Sequence, residues 1–372
     1  MCYSIPAKNQ KLMSSIRNLI TSGLRKYNRF RVHAYNSREA FTALEMIEKL
    51  SGRLNSKYKK SADEYAMDVL GDRRYAPWLY AFSAIRRSFV EGWFPEYYYG
   101  FEVRPRTDGK YGNLAILKTL TNRILKVDAI PDTAYLISGN FYSDEFKPIA
   151  FKEASDIIFK DSAVVFFKEN DSASGKGVER IERKNFKESD FQMRKDGCFQ
   201  SIILQNDFFK AINMSSTATL RITTVRDQAG KVRVRAAYLR VGRDDERFVR
   251  SDSGVRIPVE ISTGILGEVG FMNDWSYSTK HPDSGFLYSG KQIPCFGDAK
   301  QLCTALHEGF PHFELIGWDV CVDEDNKVKI MEWNANGAGI LFHEAFTGPC
   351  FTGLGWENYW RQIRPNDTPL FL

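Results

Sequence analysis

The spacing of apolar side chains divides the chain into two differently patterned parts. Up to about Gly112 the recurrence is helical. Ile16, Ile20 and Leu24 fall four residues apart and predict a helix over 14–27. Ser37 stands as an N-cap for a second helix through Leu50, with Phe41, Leu44, Ile47 and Leu50 on one face. A third is expected from near Pro77, carrying Trp78, Leu79, Phe82 and Ile85 before Arg86 and Arg87. The stretch from Gly92 to Phe101 is dense in aromatic rings, expected to pack the helices together, although such rings also stack on sugars. Asn113 to Leu125 is again helical in pattern and ends before Pro131.

From there strands alternate with helices. Short apolar or alternating runs predict strands at 133–137, 163–168, 198–204, 219–226, 232–241, 315–322 and 327–333. The polar breaks at 227–231 and 323–326 predict hairpin turns. No repeat and no low-complexity linker interrupts them. The densest apolar run, Ala163 to Phe167, has the length of a buried strand, far below the ~18 residues that span a bilayer.

Composition changes this picture little, and charge changes it more. At 372 residues and 43% hydrophobic, the chain is long enough to bury a sizeable core, which excludes a disordered or collagen-like protein. The net charge of +6 is unevenly placed. Through Gly112 there are 20 basic and 11 acidic residues; the remainder holds 32 and 35. The basic excess belongs to the N-terminal third, where an anionic partner or plain solvated helix faces account for it. The six cysteines are scattered without a CxxC pair or zinc spacing, so reduced thiols in a soluble, cytoplasmic protein are expected. The start of the chain turns polar after Pro6, so no signal peptide is expected.

Three constellations carry chemistry. In the first, the strand ending at Lys168 runs into a loop of small residues, Ser172 to Gly177, whose backbone amides could approach phosphate oxygens. It is not a Walker A loop, because Asn170 replaces the first glycine and Gly177 follows Lys176. In the second, a two-residue turn at Asp325–Asn326 would put Asp319 directly opposite Glu332, with Asn334 on the same face. Two carboxylates face to face require a cation between them, and three oxygen donors without His or Cys suit Mg²⁺. The flanking residues Trp318, Val320, Met331 and Trp333 argue that these carboxylates do not simply point to solvent. In the third, Arg221 lies inside a β-branched strand, with Arg240 on the next, and needs a carboxylate or a phosphate as partner. No Ser/His/Asp or Cys/His set is present.

Taken in order, Lys168, the Ser174–Val178 loop, Ser216 to Thr224, Ser262 to Gly264, His281 to Gly285, Ile316 to Asp319 and Glu332 to Asn334 resemble the sugar-transfer-associated branch of the ATP-grasp superfamily. The resemblance implies an α+β fold in which two lobes with antiparallel sheets grip ATP. A basic, mainly helical region (1–112) would precede an ATP-grasp region (113–372), with a small nucleotide lobe at about 130–205 and a larger metal and substrate lobe at about 206–360. By the family's motifs Lys168 contacts the ATP phosphates. Ser174, Gly175, Lys176 and Gly177 close over them. The hinge Gln200, Ser201, Ile202, Ile203 reads the adenine edge, with Gln205 near the ribose. Asp319, Glu332 and Asn334 hold Mg²⁺, while Arg221 and Lys176 act on the transferred phosphoryl group. Arg240, His281 and Asp283 are expected in the acceptor pocket. The pattern departs from the family at Ala218 and Gln200, and its earlier ATP-contacting lysine falls near Asn122–Arg123, with Lys118 one turn away.

The implied activity is an ADP-forming carboxylate–amine ligase working through an acyl phosphate, on a uronic acid or amino acid in surface-polysaccharide synthesis. A phosphotransferase on the same fold, or a non-catalytic nucleotide- or nucleic-acid-binding module, are the alternatives. Nucleic acid is not an expected partner; the basic N-terminal third is expected to allow peripheral contact with an anionic membrane.

Overall fold

The structure, a computed structural model, describes residues 7–109, 111–172, 177–243, 254–335 and 337–362, with side chains from Tyr27 onward and at Gly23. The chain divides into two compact units, one from the N-terminus through Pro105 joined by the residues from Gly355, the other Arg106–Leu354.

The first unit is helical. The two expected N-terminal helices are one, Ala7–Ser51. Neither Gly nor Pro interrupts 24–51, so Ser37 has no reason to start a new helix and sits in mid-helix instead. Ser56–Asp68 follows, capped by the Asn55 side chain, which accepts from the Lys57 amide at 2.9 Å. The expected third helix is Ala76–Arg86, with Pro77 in its first turn and the left-handed Arg87 at its end. The aromatic stretch is used for packing: Trp93, Phe94, Tyr97, Tyr98 and Tyr99 are buried. Tyr98 donates to the Trp356 carbonyl at 2.7 Å, and Trp360 covers Gly71 and donates to the Val69 carbonyl. His33 is enclosed by Tyr75, Tyr97 and Phe101, and burial pulls its pKa down to about 4, so the ring stays neutral.

The second unit is built on two antiparallel sheets, which gives the α+β class. The first holds six strands: Asp132–Ile137 (β1), Asn140–Ser143 (β2), Pro148–Ile149 (β3), Val164–Glu169 (β4), Val178–Glu182 (β5) and Gly197–Ser201 (β6), in the order β3-β2-β1-β6-β4-β5. Its core is aromatic, with Phe141, Phe167, Phe191 and Phe199 packed against the helix Phe151–Ile158. The second holds seven: Thr219–Arg226 (β7), Val232–Val241 (β8), Val255–Pro258 (β9), Gly270–Phe271 (β10), Tyr277–Ser278 (β11), Leu315–Val322 (β12) and Val328–Asn334 (β13), in the order β11-β10-β9-β8-β7-β12-β13. One face carries Leu220, Ile222, Leu239, Ile257, Trp318 and Trp333 and packs against the helix Phe296–Glu308. The period of two sends Arg221, Arg240, Arg256, Asp319 and Glu332 to the other face.

Both expected hairpins form, each with a three-residue loop. Asp323 pairs with Lys327 and Asn326 takes a left-handed conformation; Asp227 pairs with Lys231 around Gly230. In each hairpin a single extra residue, Met331 on β13 and Arg235 on β8, then shifts the register by one. Asp319 therefore does stand opposite Glu332, through a longer loop and a compensating bulge rather than through a two-residue turn.

The expected helix over 113–125 is broken into 3₁₀ turns at Tyr111–Ile116 and Lys118–Leu120 and one helical turn, Thr121–Leu125. Its backbone is diverted outward: Asp171 donates to the Ile116 carbonyl, and the Thr119 amide donates to the Asn170 side chain. The strand expected at 198–204 stops at Ser201. All five cysteines among the described residues are free thiols. No helix is long and apolar enough to cross a membrane among the described residues.

Phe199 has no exposure and four ring neighbours, so Phe199→Ala is expected to destabilise the second unit by about 3–5 kcal/mol. Urea unfolding followed by a probe confined to that unit checks this.

Candidate functional site

The centre of the site is set by sheet register. Asp319 lies between Arg221 on β7 and Glu332 on β13, all three cross-strand neighbours on one face. Arg221 Nε donates to Asp319 Oδ1 at 2.6 Å and Nη2 to Oδ2 at 3.0 Å, while Nη1 donates to the Ala338 carbonyl at 2.6 Å. Arg240 Nη2 stands 3.6 Å from Oδ2, and Asn334 Nδ2 approaches the same oxygen and the Gly317 carbonyl. Burial raises the carboxyl pKa of Asp319, but Arg221 and Arg240 outweigh it and hold the group below its usual value. Burial likewise opposes the charge on Arg221, and Asp319 more than restores it. The pair stays ionised.

The cation required between the two carboxylates is thus supplied twice by the protein. Arg221 serves Asp319. Glu332 is approached by Lys118 Nζ at 3.7 Å. Lys118 is itself almost buried and donates to the Ser172 carbonyl at 2.7 Å, which fixes one foot of the 172–177 loop. Gly177, at the other foot, has a positive φ, and a Cβ there would meet the Ser172 side chain at 2.8 Å. Ser174, Gly175 and Lys176 lie outside the described residues.

Lys168, at the end of β4, donates to the Met331 carbonyl at 3.3 Å. That carbonyl belongs to the bulge residue. Lys168 and Lys118 line one cleft with Gln200, Ile130, Met331 and Glu332. The open space between them is about 10 Å³, roughly the room of a single water molecule.

Behind the cleft stands a second buried carboxylate. Gln200 donates from Nε2 to Asp132 Oδ1 at 2.8 Å, and Tyr135 donates to Oδ2 at 3.1 Å. Burial is the largest influence on Asp132 and lifts its pKa to about 6, against the hydrogen bonds of Gln200 and Tyr135 and the charge of Lys168.

Three expected positions have their polar groups engaged by the protein itself. Gln205 spends its amide on its own loop, donating to the Asn213 and Ser216 carbonyls and accepting from the Ala218 amide. His281 is fully buried, with Nε2 at 3.0 Å from the Gly242 carbonyl. Asp283 forms a two-pronged pair with Arg243. These hydrogen bonds shape a loop and leave Arg240, of the three, beside Asp319. Arg221, expected to face a phosphoryl group, is instead the buried partner of that same carboxylate. Ser201, Ile202 and Ile203 are half-buried where β6 ends, and the Ser201 amide is already bound to the Pro131 carbonyl.

Sequence reasoning did not pick out Asp132, Arg256 or His343. Arg256 extends the arginine row beyond Arg240, its guanidinium 4.0 Å from the Phe342 ring centre; burial, with Arg240 and Arg221 nearby, lowers its pKa to about 10. His343 Nε2 is 2.8 Å from Thr223 Oγ1, and burial, with Arg221 nearby, pushes its pKa down to about 3.

The donor set fits a hard divalent cation: two carboxylates and an amide on adjacent strands, oxygen donors only, with two lysines beside them for phosphate oxygens. Among the described residues no group of three or more His, Cys, Asp or Glu side chains could hold a metal, so the Asn334 amide and Glu332 would carry much of the task.

Residues 118–353 match the sequence profile of a family described as sugar-transfer associated ATP-grasp. No curated protein matches the chain. Among solved structures, it is similar to the ATP-grasp ligase PsnB complexed with a minimal precursor (12% identity, TM-score 0.35, 62% of this chain and 55% of that one). It is also similar to N5-carboxyaminoimidazole ribonucleotide synthetase from Thermotoga maritima (13%, 0.38, 68% and 50%). A third is the Staphylococcus aureus N5-carboxyaminoimidazole synthetase complexed with ADP (10%, 0.37, 60% and 45%). The chain spans about half the length of the structures it matches.

The raised pKa of Asp132 makes stability depend on pH. The unfolded carboxyl ionises near 3.8 and the folded one near 6, so the folded state loses stability as pH rises through that window. Asp132→Asn carries no such charge. Its stability relative to the parent is expected to rise between pH 4 and 6 by up to about 3 kcal/mol, measured by urea unfolding at each pH. A difference that stays constant with pH contradicts the assignment.

Proposed function

Because the chain belongs to the sugar-transfer associated ATP-grasp family, we propose that it is an ATP-dependent ligase joining a carboxylate to an amine. What supports this reading most directly is the convergence of two ammonium groups, Lys118 and Lys168, on a cleft floored by Glu332, which lies directly opposite Asp319. Bound as its magnesium complex, ATP supplies the phosphoryl group that turns an unreactive carboxylate into an acyl phosphate open to an amine.

In this reading the protein's own groups position and neutralise. Lys118 and Lys168 exchange their present carbonyl acceptors for phosphate oxygens, which are charged and bind an ammonium more strongly. Lys118 takes the role of the earlier ATP-contacting lysine. Glu332 and Asn334 offer oxygens to the cation from β13, and Asp319, locked by Arg221, offers its remaining lone pairs from β12. Ser174 to Gly177 covers the phosphates. Gln200, oriented by Asp132, reads the base edge together with the backbone of Ser201, Ile202 and Ile203. Arg240 continues the positive row along the same face, where the carboxylate to be activated would be drawn. The proposed carboxylate is that of a uronic acid or amino acid destined for a surface polysaccharide, a reading supported only by the family's description as sugar-transfer associated.

Incubation of the purified chain with Mg-ATP and panels of acids and amines is expected to release phosphate only when both substrates are present. Glu332→Gln should lower turnover at least about 100-fold, in line with the loss of one transition-state charge contact. Lys118→Ala should weaken ATP binding about 10–100-fold, as loss of a charge-assisted hydrogen bond does. A stable phosphorylated product formed without amine would make the protein a phosphotransferase instead. Turnover untouched by Glu332→Gln and Asp319→Asn would overturn the reading altogether.

A further inference from the structure

Among the described side chains, from Tyr27 onward, the helix Ala7–Ser51 buries one face in the helical unit. His33, Ala40, Ala43 and Ile47 are buried at spacings of three, four and seven, with Asn36 half-buried between them. A second apolar series lies on the far side of the same helix. Tyr27, Phe30, Ala34 and Phe41 fall at i, i+3, i+7 and i+14, and all are exposed: Tyr27 by 59%, Phe30 by 64% and Phe41 by 49%. Tyr35, beside them, is 56% exposed. In sequence the same spacing runs back through Leu24, Ile20 and Ile16.

Charge identifies what such a stripe suits. Residues 1–38 contain eight basic residues and no acidic one; the first carboxylate of the chain is Glu39. Arg31 and Arg38 lie against the rings of Tyr27 and Tyr35, so their stems extend the apolar surface while their charges border it. A second copy of this helix would bring the same eight positive charges against their like. Nucleic acid would use the charges but leave the apolar faces of the rings unburied. An anionic bilayer surface satisfies both, taking the rings at the headgroup boundary and the cations among its phosphates. Among the described residues the helix is not apolar enough to cross.

We propose that the Tyr27–Phe30–Phe41 face of the N-terminal helix is a membrane-surface anchor that lies in the interface of an anionic bilayer. It binds lipid independently of the cleft, and none of its residues belongs to the site around Asp319.

The full chain is to be sedimented with vesicles of pure phosphatidylcholine and with vesicles containing about 30% phosphatidylserine, at low and high salt. Co-sedimentation is expected with the anionic vesicles at low salt and is expected to weaken as salt rises. The triple variant Tyr27→Ser, Phe30→Ser, Phe41→Ser removes two exposed rings and the half-exposed Phe41, whose ring centre lies 6.3 Å from that of Tyr80, so circular dichroism and cleft activity should stay close to the parent while the partition coefficient falls at least about tenfold. Arg31→Glu with Arg38→Glu should lower it comparably, and only on anionic vesicles. No binding to anionic vesicles at low salt, or binding unchanged by the triple variant, overturns the proposal. So does a dimer, seen by light scattering without lipid, that the triple variant dissolves, or nucleic-acid binding that competes fully with vesicles and ignores the ring substitutions.

Discussion

The buried pair of Arg221 and Asp319 is the constraint around which the large sheet is organised. Each charge is nearly shut off from water, and neither would be tolerated there alone: removing one partner of such a pair typically costs about 3–5 kcal/mol. Antiparallel register makes the two residues direct neighbours, and the guanidinium then has one edge left over, which it spends on the Ala338 carbonyl. The segment after β13 is thereby tied down, together with the Asn334 side chain that reaches the same carboxylate. A pair this enclosed stabilises the fold only modestly. What it secures is the direction of the Asp319 oxygens.

The reverse face of the sheet supports that direction with neutral groups. Trp318 and Trp333 oppose each other across β12 and β13 and stack at 6.3 Å. Trp318 donates to Thr224, Thr224 meets His307 Nδ1 at 2.8 Å, and His307 Nε2 meets the Phe313 carbonyl. A carbonyl only accepts, so the ring must donate from Nε2 and accept at Nδ1; burial lowers its pKa to about 4 and keeps it in that neutral form. The site's carboxylate thus sits on a strand whose other side is fixed by hydrogen bonds of defined polarity.

What the sequence revealed follows the range of each signal. Strands β7, β8 and β12 were legible to the residue because each is a short, almost continuously buried run rich in apolar and β-branched residues between polar breaks, which is a local signal. The opposition of Asp319 and Glu332 was reached through a two-residue turn that does not form; the longer loop and the Met331 bulge cancel each other. The short edge strands β3, β10 and β11 were not legible, since two residues carry no period. Lys118 stayed one of several candidates for the earlier lysine because its segment reads as helix; only the distant loop at 170–172 pulls it out of that form. Gln205 and His281 show what a motif leaves open. A polar side chain in a promising motif looks alike whether it faces a ligand or its own loop, and the difference lies in backbone groups that sequence does not align.

Met331 has one further consequence. Loop length and bulge act on the same variable, the alternation of faces along β13. A two-residue loop without the bulge and a three-residue loop with it both present Glu332 to the cleft; re-pairing the same residues with only one of the two changed turns Glu332 inward and Trp333 outward. Deleting Met331 itself is different: the strand straightens, Glu332 stays opposite Asp319, and what is lost is the carbonyl that holds Lys168.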